Sequence, residues 1–382
     1  MPESPEFDAV ELTPLVRRLL DEPAAELAEW HCEPLGWINL MDAALYRVSG
    51  SARVDGRPLD WSMVMKMFRR PDTGTTASDP AGWDYWKREI NSYASGALDS
   101  LPGRFVAPRF AGVLSGHGDA MWLAIEEIRD TDHQAWSLDR FEAAARCAGA
   151  FNAAYLDGVP LPTAGGLGPG GLRSWVELLA SVAGDLPGDG PLASIATPRP
   201  DDLRALLAER EALLAALDRL PQTFVHRDFT PVNLLVRPGP ERSPEFVAVD
   251  WAIAGVGALG EDAAGMVGAT LWQLLAEPSD AEALEERVLQ GYVDGLNEAG
   301  WDGDKALVRF GYAATLALRF APLTPAWAPD LDDEAKAEWF GRKFGRPPDQ
   351  IAAAWGQLQD FVLDRGAEPL GLVNGLDGVR RA

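Results

Sequence analysis

The sequence is poor in cysteine, in histidine and in long apolar runs. Its 382 residues include two cysteines, Cys32 and Cys147, and four histidines. Two thiols build no disulfide framework and fit a reduced compartment. No segment keeps about eighteen apolar residues together, and the acidic N-terminus lacks the apolar core of a secretion signal. We therefore expect a cytoplasmic protein with no membrane span and no export signal.

Positive charge is scarce as well. Lys and Arg number 34 against 58 Asp and Glu, which gives a formal net charge of -24. Because a nucleic-acid backbone requires basic surface for counterion release, nucleic-acid binding is disfavoured. An acidic surface can attract a cationic substrate, but a solvated exterior is the simpler interpretation. The only lysines are Lys66, Lys87, Lys305, Lys336 and Lys343, so a lysine inside an apolar strand is conspicuous.

The first third of the chain mixes strand and helix patterns. Thr13 followed by Pro14 predicts the N-cap and first turn of a short helix. Apolar spacing predicts the next elements: strands at 44–48 and 61–68, a helix at 83–98, and a buried strand that runs out into an acidic connector over 121–130. Residues 50–58 are expected to connect the first two strands, and Glu89 lies beside the buried face of the helix.

Beyond about residue 130 the patterns are mainly helical. Ser137 begins one helix and residues 201–220 predict another. The stretch 157–201 is rich in Gly and Pro and is predicted to be a lid or an insertion, with a helix at 172–183. The patterns together predict an α+β chain that is β-rich first and helical afterwards.

A polar stretch between apolar runs carries the strongest chemical signal. It reads FVHRDFTPVNLLV over residues 224–236, and a Pro- and Gly-rich turn then leads to FVAVDW at 246–251. Two short strands joined by a turn predict a hairpin that brings Asn233 close to Asp250. With Asp228 nearby, these oxygen-bearing side chains suit Mg²⁺, which binds few protein carboxylates together with substrate phosphates.

A lysine and a glutamate in the first third of the chain complement this site. Lys66 is a single cation inside the apolar strand pattern, where an unpaired charge is costly. Glu89, turned inward on the predicted helix, is its natural partner. A strand lysine paired with a helix glutamate positions the lysine on the phosphates of ATP in kinase folds.

The polar residues singled out above occur in the order seen in a known superfamily. The set, Lys66, Glu89, Asp228, Asn233 and Asp250, resembles that of the aminoglycoside phosphotransferase and choline kinase superfamily. Its members are small-molecule kinases with the protein-kinase fold. The resemblance covers roughly residues 35–275. It implies a two-lobed, protein-kinase-like α+β fold, with a nucleotide-binding lobe at 1–128 and a catalytic and acceptor-binding lobe at 129–382. It also implies ATP and Mg²⁺ as cosubstrate and cofactor, and a small-molecule hydroxyl as acceptor.

The resemblance assigns the catalytic and metal-binding roles. His226 and Arg227 hold the catalytic loop, and Asp228 orients and deprotonates the acceptor hydroxyl. Asn233 and Asp250 hold Mg²⁺. In addition, Asp262 matches an acidic residue that opens the next helix and braces the loop.

The resemblance also assigns the nucleotide contacts. Lys66 and Glu89 serve the ATP phosphates, and the adenine bonds to backbone groups of Glu126 and Ile128. The loop that covers the phosphates lacks a GxGxxG motif, and Asn39 begins its best candidate, residues 39–44.

Two departures from known kinases shape the functional expectation. The family usually has Gly where this chain has Arg227, and His-Arg-Asp is typical of protein kinases. However, no Asp-Phe-Gly or Ala-Pro-Glu follows, and WAIAGVGALGED is too short for a regulated activation segment, so protein substrates are disfavoured. The first expectation is an enzyme that inactivates an aminoglycoside or another hydroxylated antibiotic. A metabolic kinase for an amino alcohol or a sugar, and a nucleotide-binding pseudokinase, remain alternatives.

The tryptophans near the C-terminus allow two interpretations. Trp327, Trp339 and Trp355 fall where this superfamily builds its acceptor pocket, and their rings could stack on a sugar or a base. Packing in the core is the simpler interpretation. The sequence leaves the oligomeric state open.

Overall fold

The computed structural model describes most of the chain: residues 5–35, 44–72, 75–116, 120–130, 136–183, 190–239 and 244–380. These residues form a β-rich N-terminal part and a mainly helical C-terminal part, which confirms the predicted α+β class. Among them, no helix combines the length and the apolar character that crossing a membrane requires.

The N-terminal part is built on an antiparallel five-stranded sheet. Its elements are α1 (Ala9–Leu20), β1 (Glu26–Pro34), β2 (Leu45–Val54), β3 (Arg57–Arg69), α2 (Arg88–Ala94), β4 (Phe105–Val106), β5 (Phe110–Ser115) and β6 (Ala120–Glu126). The strand order in the sheet is β1-β2-β3-β6-β5. Lys66 lies on the central strand β3, opposite Leu45 on one side and Leu123 on the other, so both neighbouring strands fix its position.

Two sequence-based boundaries in this part are wrong. The helix α1 begins at Ala9 rather than at Pro14, because Asp8 and Glu11 form a capping box that outcompetes Thr13 as the helix start. The connection between β2 and β3 is much shorter than 50–58. Asp55 and Gly56 alone make the turn, with φ angles of 49° and 78°, which is the left-handed geometry of tight hairpins.

The helix α2 is also shorter than the predicted 83–98. It retains the expected buried residues Ile90 and Tyr93. The chain leaves the helix before Gly96, whose φ of 76° is left-handed. Residues 82–87 form irregular turns and not the first part of the helix. The carbonyl groups of Gly82 and Trp83 accept hydrogen bonds from the side chain of Arg88.

The C-terminal part is mainly helical and contains two small sheets. Its elements are α3 (Leu138–Leu156), α4 (Gly171–Ala183), α5 (Pro191–Ala196), α6 (Pro200–Ala208), α7 (Arg210–Leu217), β7 (Gln222–Val225), β8 (Leu234–Pro238), β9 (Pro244–Ala248), β10 (Gly255–Ala258), α8 (Glu261–Trp272), α9 (Ala281–Glu298), α10 (Lys305–Phe320), α11 (Leu323–Trp327), α12 (Glu334–Phe344) and α13 (Pro348–Arg380).

The helices pack closely around one apolar core. α3 begins after its predicted N-cap, Ser137, and lies so close to α9 that a Cβ on Gly149 would stand 2.0 Å from the carbonyl oxygen of Tyr292. The stretch predicted as one helix at 201–220 is two helices, α6 and α7, interrupted at Glu209. The Gly- and Pro-rich segment contributes Leu172 and Val176 of α4 to the core, so this helix is a packed component of the fold.

The two small sheets present the polar stretch of the sequence. β7 pairs with β10, and β8 pairs with β9 in the predicted antiparallel hairpin, where Leu234 lies opposite Ala248. β4 joins the hairpin by pairing in parallel with β9. Residues 226–233 therefore form a loop between β7 and β8 whose two ends are each held by a sheet.

Candidate active site

The hairpin places Asp228, Asn233 and Asp250 at one end of β8 and β9. The backbone N–H of Val249, next to Asp250, donates to the carbonyl of Asn233 at 3.0 Å. The side-chain amide of Asn233 donates to Asp228 Oδ2 at 2.8 Å and to the Asp228 carbonyl at 3.1 Å. These bonds orient both side chains and use the Asn233 amide nitrogen and Asp228 Oδ2. Asp228 Oδ1 and Asn233 Oδ1 receive no hydrogen bond from the described groups.

His226 is the first residue of this loop and is fully buried. Its ring stacks on Phe229 and meets Trp251 edge to face, with centroid distances of 4.4 Å and 4.6 Å. Nε2 lies 3.0 Å from the carbonyl of Val249, and Nδ1 accepts from the backbone N–H of Asp228. The neutral Nε2–H tautomer satisfies both bonds, and burial lowers the pKa of His226 to about 4. His226 therefore holds the loop in place through buried bonds to the backbone of Val249 and Asp228.

Arg227 has a left-handed backbone, with a φ of 70°. This conformation explains why a glycine suits the position in the family, since glycine adopts it without steric cost. The buried guanidinium donates to Glu261 Oε1 at 2.5 Å and to the carbonyls of Ile253 and Val256. Arg227 thus ties the loop to the segment that follows Asp250, and it also acts by positioning.

Asp262 braces the same loop from the first turn of α8. One carboxylate oxygen accepts from the backbone N–H of Arg227 at 2.7 Å, and the other accepts from the Asn152 amide at 3.0 Å. Burial raises the pKa of Asp262 to about 7, although both hydrogen bonds favour the charged form.

Lys66, Glu89 and Asp250 form a chain of charges between the two parts of the molecule. Lys66 Nζ lies 2.5 Å from Glu89 Oε2 and 2.8 Å from Asp250 Oδ1. Burial alone would lower the pKa of Lys66, but Asp250 and Glu89 raise it overall. The Asp250 side chain is 40% exposed, so its carboxylate remains open to an incoming ligand.

The charges of two cations of the C-terminal part influence Asp228, and the sequence patterns did not reveal either. Burial raises the pKa of Asp228 to about 6, while the charges of Arg319 in α10 and Lys343 in α12 act to lower it. Arg319 Nη1 also donates to the carbonyl of Arg227. The scarcity of lysine was a usable signal for Lys343, whereas nothing in the sequence separates Arg319 from the other arginines.

The donor set fits a hard divalent cation. Besides Asp228 Oδ1, Asn233 Oδ1 and the exposed carboxylate of Asp250 lack a complete set of partners among the described groups. Mg²⁺ commonly takes few protein ligands and completes its shell with phosphates and water. Across the described residues, no group of three or more His, Cys, Asp or Glu side chains gathers into a metal site. Asn233 and Asp250 therefore suit a metal ion that is also bound by the phosphates of a nucleotide. They suit less well a metal ion that is held by protein ligands alone.

The connector expected to bind adenine is only partly free. The backbone N–H of Glu126 donates to the carbonyl of Arg109 at 2.9 Å, so it is not available to a nucleotide. No described group bonds the N–H of Ile128. Asn39, the candidate for the phosphate-covering loop, lies outside the described residues.

The three tryptophans near the C-terminus, Trp327, Trp339 and Trp355, differ in burial. Trp355 is fully buried and stacks on Trp272 with a centroid distance of 5.8 Å, so for Trp355 core packing is the observed role. Trp327 and Trp339 are only half-buried, and the ring of Trp339 lies 5.1 Å from Lys343 Nζ.

Comparison with known proteins gives a family and a fold. The model of the phosphotransferase enzyme family, abbreviated APH, matches residues 120–307. No curated protein matches the chain.

Several solved structures share the fold at low sequence identity. A microcompartment-associated aminopropanol kinase is 15% identical with a TM-score of 0.54, over 92% of this chain and 98% of that chain. An amicoumacin kinase, solved with AMP-PNP, Ca²⁺ and Ami, is 12% identical with a TM-score of 0.50, over 91% of this chain and 93% of that chain. A choline kinase from Cryptosporidium parvum Iowa II is 13% identical with a TM-score of 0.50, over 90% and 92%. The chain therefore has a kinase-like fold.

Proposed function

We propose that this chain transfers the γ-phosphoryl group of ATP to a hydroxyl of a small molecule, because its residues 120–307 match the model of the phosphotransferase enzyme family. The observation that carries this proposal is the placement of Asp228, Asn233 and Asp250 at one hairpin end, with Lys66 bonded to Asp250. Residues 1–128 would form the nucleotide-binding lobe and residues 129–382 the catalytic and acceptor lobe. We also propose that the protein acts in the cytoplasm.

The first step that the residues support is activation of the acceptor. Asp228 Oδ1, which no described group occupies, accepts the hydroxyl proton, while the Asn233 amide holds Oδ2 in place. The acceptor oxygen forms a bond to the γ-phosphorus as the bond from that phosphorus to the β-phosphate oxygen breaks, and ADP leaves. With the pKa of Asp228 at about 6, the carboxylate is mostly ionised at neutral pH and can serve as the base.

The other residues of the site bind and neutralise the nucleotide. Lys66 pairs with the phosphates, and Glu89 keeps the ammonium aimed at them. Asn233 and Asp250 would hold Mg²⁺, which supplies charge neutralisation on the phosphates when bound. The amicoumacin kinase was solved with AMP-PNP, which supports ATP as the donor. Adenine would bond to the connector at Glu126 and Ile128, and residues near Asn39 would cover the phosphates.

The acceptor class has two candidates. An aminoglycoside-like or other hydroxylated antibiotic is the first, and an amino alcohol or sugar is the second. Proteins of this fold are named for both classes, since the amicoumacin kinase and the aminopropanol kinase stand side by side. The antibiotic class would give the protein a role in resistance.

The test is acceptor-dependent ATP consumption. The wild type should release ADP with at least one compound in a panel of hydroxylated antibiotics, amino alcohols and sugars, and mass spectrometry should find a product heavier by one phosphate. Asp228→Asn should lower that rate by about a hundredfold or more while retaining the fold, because the base is lost. Nucleotide binding without turnover of any acceptor would favour a pseudokinase, and label in polypeptide would favour a protein kinase.

A further inference from the structure

The peptide group between Arg227 and Asp228 is hydrogen-bonded on both sides. Its N–H, from Asp228, donates to Nδ1 of His226 at 3.2 Å, and its carbonyl oxygen, from Arg227, accepts from Nη1 of Arg319. The N–H of Arg227 in turn donates to Asp262 Oδ1 at 2.7 Å. Two bonds on opposite sides therefore fix the plane of the peptide that leads into Asp228. Arg319 provides one of them from 92 residues farther along the chain.

Arg319 is held in place for this bond by its own neighbours. It lies in the last turn of α10 and is 9% exposed. Its backbone carbonyl accepts a hydrogen bond from the indole N–H of Trp175 at 3.3 Å, and its guanidinium carbon lies 4.9 Å from the centre of the Phe320 ring. Because both its backbone and its side chain are contacted, Arg319 presents Nη1 to the loop from a defined position.

Gly265 of α8 provides the space in which the carbonyl and the guanidinium meet. A Cβ at this position would stand 2.4 Å from the carbonyl oxygen of Arg227 and 3.3 Å from Nη1 of Arg319. The first distance is far shorter than the roughly 3.5 Å of a favourable contact between heavy atoms. A side chain at residue 265 would therefore have to displace the carbonyl, the guanidinium or α8 itself.

A buried arginine at this place needs a reason, because a buried charge is costly and an apolar side chain of similar volume is often the more stable choice. Burial disfavours the charge of Arg319 and lowers its pKa, and three carboxylates oppose that shift: Asp228, Glu261 and Asp262. These charges make the cation tolerable. The hydrogen bond to the carbonyl of Arg227 is what an apolar side chain could not supply.

We infer that Arg319 is a positioning residue: by holding the carbonyl of Arg227 it fixes the 227–228 peptide and thereby aims the Asp228 carboxylate at the acceptor hydroxyl. The inference rests on the proposed phosphotransferase function, in which Asp228 is the base. The Cα atom of Asp228 belongs to the plane of that peptide, so a rotation of the peptide moves the carboxylate. Misplacement of a reacting group by about 1 Å can lower a rate by about a hundredfold.

The experiment disturbs the Arg227 carbonyl in two independent ways. Arg319→Met removes the donor, and Gly265→Ala keeps the guanidinium but introduces a Cβ against the carbonyl. Two controls are matched to these variants. Gly268→Ala overpacks the same two helices away from the loop, since its Cβ would stand 2.3 Å from the ring of Phe320. Arg309→Met removes another arginine of α10, one that pairs with carboxylates of α9 and α13.

We expect kcat to fall by about tenfold to a hundredfold in Arg319→Met and in Gly265→Ala, with the KM values for MgATP and for the acceptor changed by less than about twofold. Arg319→Lys should recover part of the rate, because an ammonium can donate to the same carbonyl. Gly268→Ala should lose as much stability to urea as Gly265→Ala does, yet retain the wild-type kcat. Arg309→Met should retain it as well.

A second background separates positioning from general loosening of the fold. If Arg319 acts through Asp228, adding Arg319→Met to Asp228→Asn should lower the residual kcat by less than about twofold, because effects of residues that act as a unit do not add. A variant that merely loosens the protein would lower the rate by the same factor in both backgrounds.

Two outcomes would overturn the inference. One is an equal loss of kcat in Gly265→Ala and Gly268→Ala, and the other is an undiminished further loss when Arg319→Met is added to Asp228→Asn. If Arg319→Met does not fold, Arg319→Lys takes its place in these comparisons.

Crystal structures of the wild type and of Gly265→Ala with AMP-PNP and Mg²⁺ keep the inference testable if no acceptor is phosphorylated. A displaced Arg227 carbonyl together with a turned Asp228 carboxylate would then support the positioning role, although the proposed function fails. An Asp228 side chain that stays in place while the carbonyl moves would overturn that role.

Discussion

Arg227 combines an unfavourable backbone with a well-bonded side chain. A left-handed conformation costs an L-residue about 1 to 2 kcal/mol, and Arg227 adopts it with a φ of 70°. Its guanidinium gains a buried bond to Glu261 and two bonds to carbonyl groups. In a protein kinase that is activated by phosphorylation, an added phosphate supplies negative charge to such arginines. Here a glutamate of the same chain supplies it permanently.

A double-mutant cycle tests whether Arg227 and Glu261 act as one unit. Arg227→Met should destabilise the fold by about 3 kcal/mol or more, because it leaves the Glu261 carboxylate buried without its partner. Glu261→Gln should be destabilising for the converse reason. The double variant should lose less stability than the sum of the single variants, as measured by urea unfolding. Additive losses would contradict the coupling.

Asp228 should set the acid limb of the pH profile. Burial raises its pKa to about 6, and only the ionised carboxylate accepts the hydroxyl proton. The logarithm of kcat/KM should therefore fall by about one unit per pH unit below pH 6 and level off above it. His226, with a pKa near 4, stays neutral across this range.

Asp262→Asn is the control for that assignment, because Asp262 also titrates near neutrality and asparagine can still accept the Arg227 N–H through its carbonyl oxygen. The acid limb should persist in this variant. A limb that disappears in Asp262→Asn would show that the bracing residue, and not the base, governs the profile.

At the scale of secondary-structure elements, Arg88 joins α2 to the loops around it. Its buried guanidinium donates to the carbonyls of Gly82, Trp83, Gly166 and Ala252. Ala252 lies two residues after Asp250, and Glu89 follows Arg88 directly. The same residue therefore links the helix that carries the Lys66 partner to the segment that carries the metal-binding candidate.

Loss of this link should move α2 and lower activity. Arg88→Met leaves four carbonyls without their donor, and we expect a stability loss of about 2 kcal/mol or more with a fall in kcat. Arg88→Lys should rescue little, because an ammonium does not reproduce the planar fork of donors. Lys87→Met removes a neighbouring charge that stacks on Trp86 and should leave kcat unchanged. Equal effects of Arg88→Met and Lys87→Met would contradict the link.

The sequence predicted elements better than it predicted their ends or their distant contacts. Family, fold class and the β8–β9 hairpin are confirmed, because apolar periodicity and turn residues are local signals. The start of α1 was missed since two nearby residues can each cap a helix. The influence of Arg319 and Lys343 on Asp228 was missed because these residues lie on α10 and α12, far along the chain, and no local pattern encodes how those helices pack.

At the scale of the whole molecule, one charge contact joins the two parts across the site. Lys66 on the N-terminal sheet bonds Asp250 beyond the C-terminal hairpin, 184 residues later. Glu89 holds the other side of the same ammonium. Under the proposed function, a bound nucleotide with its metal would insert its phosphates where this contact is made.

The most direct measurement is a crystal structure with AMP-PNP and Mn²⁺, with the metal located by its anomalous signal. We predict a metal peak bound directly by Asn233 Oδ1 and the Asp250 carboxylate, with Lys66 Nζ on the phosphates and Asp228 Oδ1 facing the γ-phosphate. A nucleotide bound elsewhere, or a metal peak away from residues 233 and 250, would contradict the account.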